Sequence, residues 1–284
     1  MSPARSWLFV PGDSARKIER ALQGSADALI FDWEDSVLPA SKAAAREVTV
    51  AALEASRSSP SRCWIRVNAL ALPEFAADLA ALPAAMIAGV PLPKCCGPAD
   101  VERLGEALAT VERNARITVG WLAIVGIVTE TGASVLTLSE FRRPMPRLSA
   151  VMWGGEDLAG DLGVPRNRDD SGRYREPFRL ARSLTLLAAA AAECSAIDAV
   201  FVDVRDGAGL TAECRESRAD GFVAKAAVHP DQVGPINDVF RTTAEEKAWA
   251  ERVVSALADR GVATIDGRMV DMPHLRMARR ILGR

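Results

Sequence analysis

The sequence predicts an α/β protein: a (β/α)8 TIM barrel carrying a C-terminal helical arm. Three observations carry that reading. Short runs rich in aliphatic, β-branched and aromatic residues alternate eight times with longer segments of helical periodicity. The charged residues near these runs gather at their C-terminal ends, where barrels of this kind place their working groups. Beyond the eighth unit, residues 241–284 hold two further helical stretches. A doubly wound open sheet is the alternative topology for the same alternation.

Strands are expected at 6–10 (SWLFV), 28–33 (ALIFDW), 63–68 (CWIRVN), 88–94 (AGVPLPK), 122–130 (LAIVGIVTE), 148–153 (LSAVMW), 198–203 (DAVFVD) and 222–228 (FVAKAAV). Helical periodicity covers 14–22, 41–56, 98–113, 176–194 and 229–240, and several of these segments open with Ser, Asp or Pro, which suit helix starts. The expected division is a catalytic barrel over 1–240 and an arm or lid over 241–284. The arm is read as helices at 243–261 and 273–282 around a short 262–272 segment.

Bulk properties exclude several classes. A net charge of −2 gives no bias toward nucleic acid or an anionic membrane surface. No apolar run reaches the ~18–20 residues of a spanning helix. The apolar patch from Trp7 to Val10 is too short for a signal peptide. The five cysteines are odd in number and lack a C-x-x-C spacing, which fits reduced thiols and a cytoplasmic location. Only His229 and His274 are available as imidazoles, so a His-rich zinc site is excluded and the chemistry falls to carboxylates, Arg and Lys.

The strand ends supply those groups. In order they are Pro11-Gly12-Asp13-Ser14; Asp32, Glu34 and Asp35; Arg66 and Asn68; Lys94; Glu130; Gly154-Gly155-Glu156-Asp157; Asp203 and Asp206; and His229. Carboxylates crowded on one rim repel and raise one another's pKa. A divalent cation relieves the conflict, and an all-oxygen donor set points to Mg²⁺, with Mn²⁺ as the alternative. Glu130 and Asp157, on adjacent strands, are the expected metal ligands, with Gly154 and Gly155 allowing substrate or metal close to the backbone. Ion pairing with Arg66 and Lys94 is the structural alternative for both carboxylates. Arg66 is the fixed cation, suited to a carboxylate or a developing oxyanion. Glu34, Asp35 and Lys94 are read as support around the metal. Arg16, Lys17, Arg20, Lys42 and Arg46 stand near the first two helices, where an anion could bind at a helix start.

The pieces SWLFVPGDSARKIERAL, ADALIFDWEDSV with SKAAAREV, WIRVN, PLPK, IVTETGAS, GGEDLAGDLG and GFVAKAAVHPDQVGPIN occur in an order that resembles the citrate lyase β-subunit-like family of the HpcH/HpaI aldolase superfamily. DGRMVDMPHLRMAR is similar to the C-terminal arm of the family's malyl-CoA and citramalyl-CoA lyases. The resemblance implies a Mg²⁺-dependent barrel lyase that cleaves a 3-hydroxy-3-carboxy acyl-CoA thioester to acetyl-CoA or another acyl-CoA and a 2-oxo acid. It also implies Glu130 and Asp157 as metal ligands, Arg66 on the substrate, Phe9, Arg16 and Arg20 along coenzyme A, and Asp271 as an acid/base carried by the arm. The family's habit implies a homo-oligomer, trimer or hexamer, with the arm crossing to a neighbour.

Three residues depart from the family's usual pattern, Trp33 in DWED, Gly132 in TETGAS and Ala224 before Lys225, and of these Gly132 and Trp33 bear on the shape of the pocket. The alternatives are a citrate lyase β subunit acting on a citryl-acyl-carrier thioester, an acyl-CoA thioesterase, and a non-catalytic barrel binding coenzyme A or a 2-oxo acid.

Overall fold

The structure, a computed structural model, describes residues 4–56 and 62–283. It divides into two compact units, one from Ala4 to Val239 and one from Phe240 onward.

In the first unit, parallel strands follow one another around a closed barrel in sequence order. They are β1 (Ser6–Pro11), β2 (Ala28–Asp32), β3 (Cys63–Arg66), β4 (Gly89–Leu92), β5 (Ala123–Ile127), β6 (Leu148–Met152), β7 (Ser195–Asp198) and β8 (Ala224–Ala227). β8 pairs with β1, with Ser6 opposite Lys225 and Leu8 opposite Ala227, so the sheet has no edges and the open doubly wound alternative is excluded. The helices between and after the strands are α1 (Ala15–Gln23), α2 (Lys42–Ala55), α3 (Glu74–Ala81), α4 (Pro98–Asn114), α5 (Gly132–Thr137), α6 (Gly155–Asp161), α7 (Glu176–Ala191), α8 (Gly207–Asp220) and α9 (Val233–Val239).

The period of two along each strand decides what fills the barrel. Ala28 and Ile30, Val125 and Ile127, Ala150 and Met152, and Ala224 and Ala226 belong to one buried cluster with Trp7, Trp64 and Ile197. The Trp7 and Trp64 rings meet at 4.9 Å. Alanine from several strands leaves room for this indole pair, so bulk is exchanged between positions rather than added. The opposite set, including Leu29 and Phe31, is buried as well, as expected for strands covered on both faces.

The seventh strand corrects the sequence reading. β7 is Ser195–Asp198, and most of the stretch expected as strand, 199–203, is irregular. Ile197 enters the barrel cluster, while the fully buried Asp198 is bonded to Ser217 of α8. Asp203 and Asp206 lie past the strand end, in the segment that leads into α8. Asp203 accepts the N–H of Arg205, and Asp206 caps α8 by accepting the N–H of Gly209. The 229–240 segment opens as a 3₁₀ turn, Pro230–Gln232, before α9, and His229 accepts the N–H of Asp231 at that start.

The second unit holds α10 (Ala244–Ala256), an antiparallel hairpin of β9 (Val262–Ile265) and β10 (Arg268–Asp271), and α11 (Met272–Leu282). Its own core gathers Ala250, Val253, Leu257, Ile265, Val270, Leu275 and Ala278. The arm is thus not purely helical. Its hairpin turns at Asp266-Gly267, both with positive φ (51° and 76°), the geometry of a tight two-residue hairpin. Among the described residues, no helix is long and apolar enough to cross a membrane.

Candidate active site

The C-terminal ends of β2 and β3 build the first half of the site. Asp32 and Arg66 are the last residues of these strands and are opposite one another in register. Arg66 Nε donates to Asp32 Oδ1 and Nη2 to Asp32 Oδ2, each at 2.7 Å, a bidentate pair shielded from solvent. The chain turning away from β2 completes the carboxylate's partners: the Glu34 and Ser36 N–H groups donate to Asp32 at 2.9 and 3.0 Å. Burial works against ionised Asp32, but Arg66 and these donors outweigh it and hold the carboxyl below its usual range. Arg66 is also 2.8 Å from Glu34 Oε2. That oxygen is buried without a directional hydrogen bond, so the contact is an ion pair by proximity. The Phe9 ring lies under the guanidinium, 5.0 Å from Arg66 Cζ to the ring centre.

Lys94 joins the two halves. It follows β4 in a left-handed conformation, φ 51°, which a non-glycine residue adopts at a cost. The turn aims its backbone N–H at Glu130 Oε2 and its Nζ at Glu34 Oε1, both close contacts. Nζ also donates to Asp35 Oδ2 at 3.0 Å. Burial disfavours the ammonium, yet Glu34 and the other carboxylates raise the Lys94 pKa above its ordinary value. Burial likewise pushes Glu34 up, against the pull of Arg66 and Lys94.

The second half comes from β5 and β6, neighbours in the barrel. Glu130 follows β5 and is 2% exposed. Burial first, and then the charge of Asp157, push its carboxyl up to about 8, against Arg66 and the Lys94 N–H. Asp157 is half-buried in the first turn of α6, where the helix N-terminus favours a carboxylate. Glu156, its neighbour, is exposed and accepts from Asn167 Nδ2 at 2.6 Å, away from the pair.

Gly154 and Gly155 have a different use from the expected one. A Cβ on Gly154 would stand 2.8 Å from Glu130 Cγ, and one on Gly155 would stand 3.0 Å from the Trp153 ring. The room at the glycines is taken by Glu130 and Trp153 themselves, and the Gly154 N–H is fixed by Thr129 Oγ1 at 2.9 Å. Trp33 is a second correction. It is fully buried, and its indole N–H donates to Thr49 Oγ1 at 3.0 Å, which in turn donates to the Gly12 carbonyl. It supports the loop after β1 and is no pocket wall. Lys42 and Arg46 also leave the list of anion-binding groups. Lys42 Nζ is spent on the Trp33 and Glu34 carbonyls and Asn68 Oδ1, and Arg46 on Asp78. Arg16 and Arg20 are exposed on α1, outside the ion-pair cluster. Asp271 ends β10 in the second unit, where its Oδ1 lies 2.7 Å from His274 Nδ1.

A cavity of about 720 Å³ opens beside the cluster, between the loops that follow β2, β3 and β4. Glu34, Asp35, Lys42, Asn68, Lys94 and Arg103 give it polar walls, and Val37, Leu38, Leu70 and Leu72 apolar ones. Neither Glu130 nor Asp157 lines it.

The donor set suits a small hard cation. Among the described residues, no group of three or more His, Cys, Asp and Glu side chains converges as a ready-made metal cage. Two carboxylates, one of them pushed up to about 8 by burial and by the charge of the other, match Mg²⁺, which takes one or two carboxylates and completes its shell with water and substrate. Asp32 is the functional residue that sequence reasoning left without a role. The signal was its position in the second strand, level with Arg66 in the third.

The closed barrel gathers a buried arginine–carboxylate pair and two further carboxylates at the C-terminal ends of its strands, where barrel enzymes place their working groups. Residues 5–230 match the HpcH/HpaI aldolase/citrate lyase family, and the chain belongs to it. The chain is 35% identical over 279 residues to a citrate lyase subunit beta-like protein of Mycobacterium tuberculosis, covering 98% of this chain and 94% of that protein. It is 33% identical over 291 residues to a (3S)-malyl-CoA thioesterase of Cereibacter sphaeroides, covering 99% and 94%. Among solved structures, CitE of Mycobacterium tuberculosis in complex with magnesium, acetoacetate and coenzyme A superposes with a TM-score of 0.76 at 33% identity, over 99% of this chain and 97% of that one.

Proposed function

We propose that this chain is a Mg²⁺-dependent lyase that cleaves a 3-hydroxy-3-carboxy acyl-CoA thioester into acetyl-CoA, or another acyl-CoA, and a 2-oxo acid. The observation that carries the reading is geometric: Glu130, buried after β5, and Asp157, after the neighbouring β6, bring two carboxylates to adjacent strand ends, and burial and the Asp157 charge raise the Glu130 pKa. Such a pair calls for a cation. The solved CitE complex with magnesium, acetoacetate and coenzyme A supports the choice of ion and of thioester.

Glu130 and Asp157 would hold the ion, which when bound polarises the substrate's hydroxyl and carboxylate oxygens. Arg66, locked by Asp32, presents a fixed guanidinium to the thioester oxygen. The substrate's hydroxyl proton leaves to water as that C–O bond becomes the ketone C=O, the C–C electron pair passes to the thioester CH₂ carbon, and charge gathers on the thioester oxygen, where a preorganised donor is worth about 2.7–4 kcal/mol. Asp271 delivers a proton to that carbon, and in the condensation direction removes it. Lys94, Glu34 and Asp35 hold Arg66 and Glu130 in place. Phe9, Arg16 and Arg20 follow the coenzyme A moiety. The protein acts in the cytoplasm as a homo-oligomer, trimer or hexamer, with Asp271 serving a neighbouring copy.

A thioesterase is the second reading, favoured by the malyl-CoA thioesterase relative. Purified protein with Mg²⁺ and citramalyl-, malyl- or citryl-CoA separates the two. EDTA-sensitive release of acetyl-CoA together with a 2-oxo acid supports the lyase. Free coenzyme A without acetyl-CoA replaces it with the thioesterase. Inertness toward all three overturns the coenzyme A reading in favour of a carrier-bound substrate.

A further inference from the structure

The hairpin and α11 place a second titratable group against Asp271. Asp271 ends β10 and caps α11, and His274 lies one helical turn on, at the i+3 position that faces back toward the cap. His274 Nδ1 is 2.7 Å from Asp271 Oδ1 and 3.2 Å from Asp271's own backbone nitrogen. One nitrogen cannot serve both contacts. It accepts from the backbone N–H only with a bare lone pair, and it donates to the carboxylate only with a proton. A lone pair facing a carboxylate oxygen at 2.7 Å is repulsive, so the shorter contact decides in favour of Nδ1–H. With Nδ1 protonated, the Asp271 N–H gives up the ring as its partner in the helix cap.

We propose that His274 is the positioning residue for Asp271: its Nδ1–H holds Oδ1, fixes the carboxyl plane and leaves Oδ2 to carry the proton that moves. The proposal rests on Asp271 being the acid/base group of the lyase. In the cleavage direction the Oδ2–H bond breaks and a C–H bond forms at the enolate carbon. The carboxylate left behind keeps its hydrogen bond from Nδ1–H, so the imidazole proton stays in place, while the proton lost from the substrate's hydroxyl as the ketone forms passes to water. Without the imidazole, the half-exposed carboxyl keeps only the helix-cap bond from the His274 backbone N–H and spends less time aimed at the carbon.

The test uses the full-length protein, and the two-histidine sequence makes it clean. In ¹⁵N-histidine NMR spectra the His274 signal, assigned by comparison with a His274→Asn sample, reports the Nδ1–H tautomer and loses it in Asp271→Ala. An Nε2–H tautomer in the unmodified protein overturns the proposal whatever the activity. In parallel, kcat and KM are measured with Mg²⁺ and whichever of citramalyl-, malyl- and citryl-CoA the unmodified protein cleaves. His274→Leu lowers kcat about 10-fold or more with KM within about twofold, the range typical when a partner that orients a working group is removed. His274→Asn, whose amide N–H replaces Nδ1–H, recovers most of the loss, and thermal unfolding of both variants stays at the unmodified value. Asp271→Asn is inactive. Wild-type kcat in His274→Leu beside an inactive Asp271→Asn overturns the positioning role alone. Full activity in Asp271→Asn, or no cleavage by the unmodified protein, removes the acid/base reading and the proposal with it.

Discussion

Asp32 and Arg66 end adjacent strands at the same level of the barrel and grip one another through two parallel 2.7 Å hydrogen bonds. The pair is a rigid element: the strands fix both Cα atoms, and the loop after β2 fixes the carboxylate through two backbone N–H groups. The guanidinium's plane is thereby set by the fold itself.

Asp32→Asn tests that orientation. The amide keeps one acceptor but loses the charge and the two-fold grip, leaving Arg66 buried with Glu34 as its remaining close anion. Breaking one side of a buried pair costs roughly 3–5 kcal/mol, so the melting temperature falls. At temperatures where the variant is folded, turnover drops about 10–100-fold, as for other groups that orient a working residue. Unchanged turnover in the folded variant would show that Arg66 does not depend on Asp32.

Glu130 sets a pH window. Its folded-state pKa is raised to about 8, so between the ordinary carboxyl value and 8 the metal-free folded protein holds a proton that the unfolded chain has released. The resulting stability is complete below the unfolded value and is lost as pH rises through about 8. Metal-free Glu130→Gln therefore melts higher than the unmodified protein at pH 9 and alike at pH 4. Mg²⁺ binding has the opposite trend: it must displace the same proton, so affinity rises toward pH 8 and levels off above it. Calorimetric titration in buffers of different ionisation heat reads the released proton directly. Binding that is flat from pH 6 to 9 would remove Glu130 from the metal's shell.

How much of this was readable in advance depends on the range of the interaction. The barrel was legible because each strand carries its own alternation and each break its own turn residues; only the seventh strand slipped, because AVFV in 199–202 looks more strand-like than the SAID segment that pairs. The charged rim was legible because strand ends fall on one face of a barrel. What distance along the chain hid was who holds whom. Lys94 bonds Glu34 across 60 residues, through a positive φ that no local pattern announces. Trp33 looked like a pocket wall because DWED is a rim motif, yet its indole points to Thr49 behind the strand. The glycines of GGED suggested room for a ligand, and the room is occupied by Glu130 and Trp153.

Lys225 should matter to the site from a distance. It is fully buried on β8, donating to Asp198 Oδ2 at 2.7 Å and Glu213 Oε1 at 2.8 Å. Burial disfavours ionised Asp198, but Lys225 and Arg182 pull it down to about 2. Asp198 also accepts the Trp153 indole N–H at 2.6 Å, directly before Gly154. Lys225→Met strands the buried carboxylate, at a cost of roughly 3–5 kcal/mol seen in chemical denaturation. The double change Lys225→Met with Asp198→Asn recovers part of that loss. A single variant as stable as the unmodified protein would mean that Arg182 alone satisfies Asp198.

Gly154→Ala separates geometry from charge. The backbone at Gly154, φ −116° and ψ 107°, is open to any residue, so alanine brings no dihedral strain. The added methyl would stand 2.8 Å from Glu130 Cγ, a distance real side chains do not tolerate, and the Gly154 N–H is pinned on Thr129. Glu130 is the part that can yield, and it would swing away from Asp157. Folding stability should change by no more than about 1–3 kcal/mol, the usual cost of overpacking. Mg²⁺ affinity should fall about 10–100-fold, the loss expected when support for a ligand is disturbed. Gly155→Ala is the control, because its methyl would press on the Trp153 ring instead. Metal affinity that falls for Gly154→Ala and holds for Gly155→Ala ties the glycine to Glu130. Equal losses in the two variants would place the effect in the loop as a whole and not in the carboxylate pair.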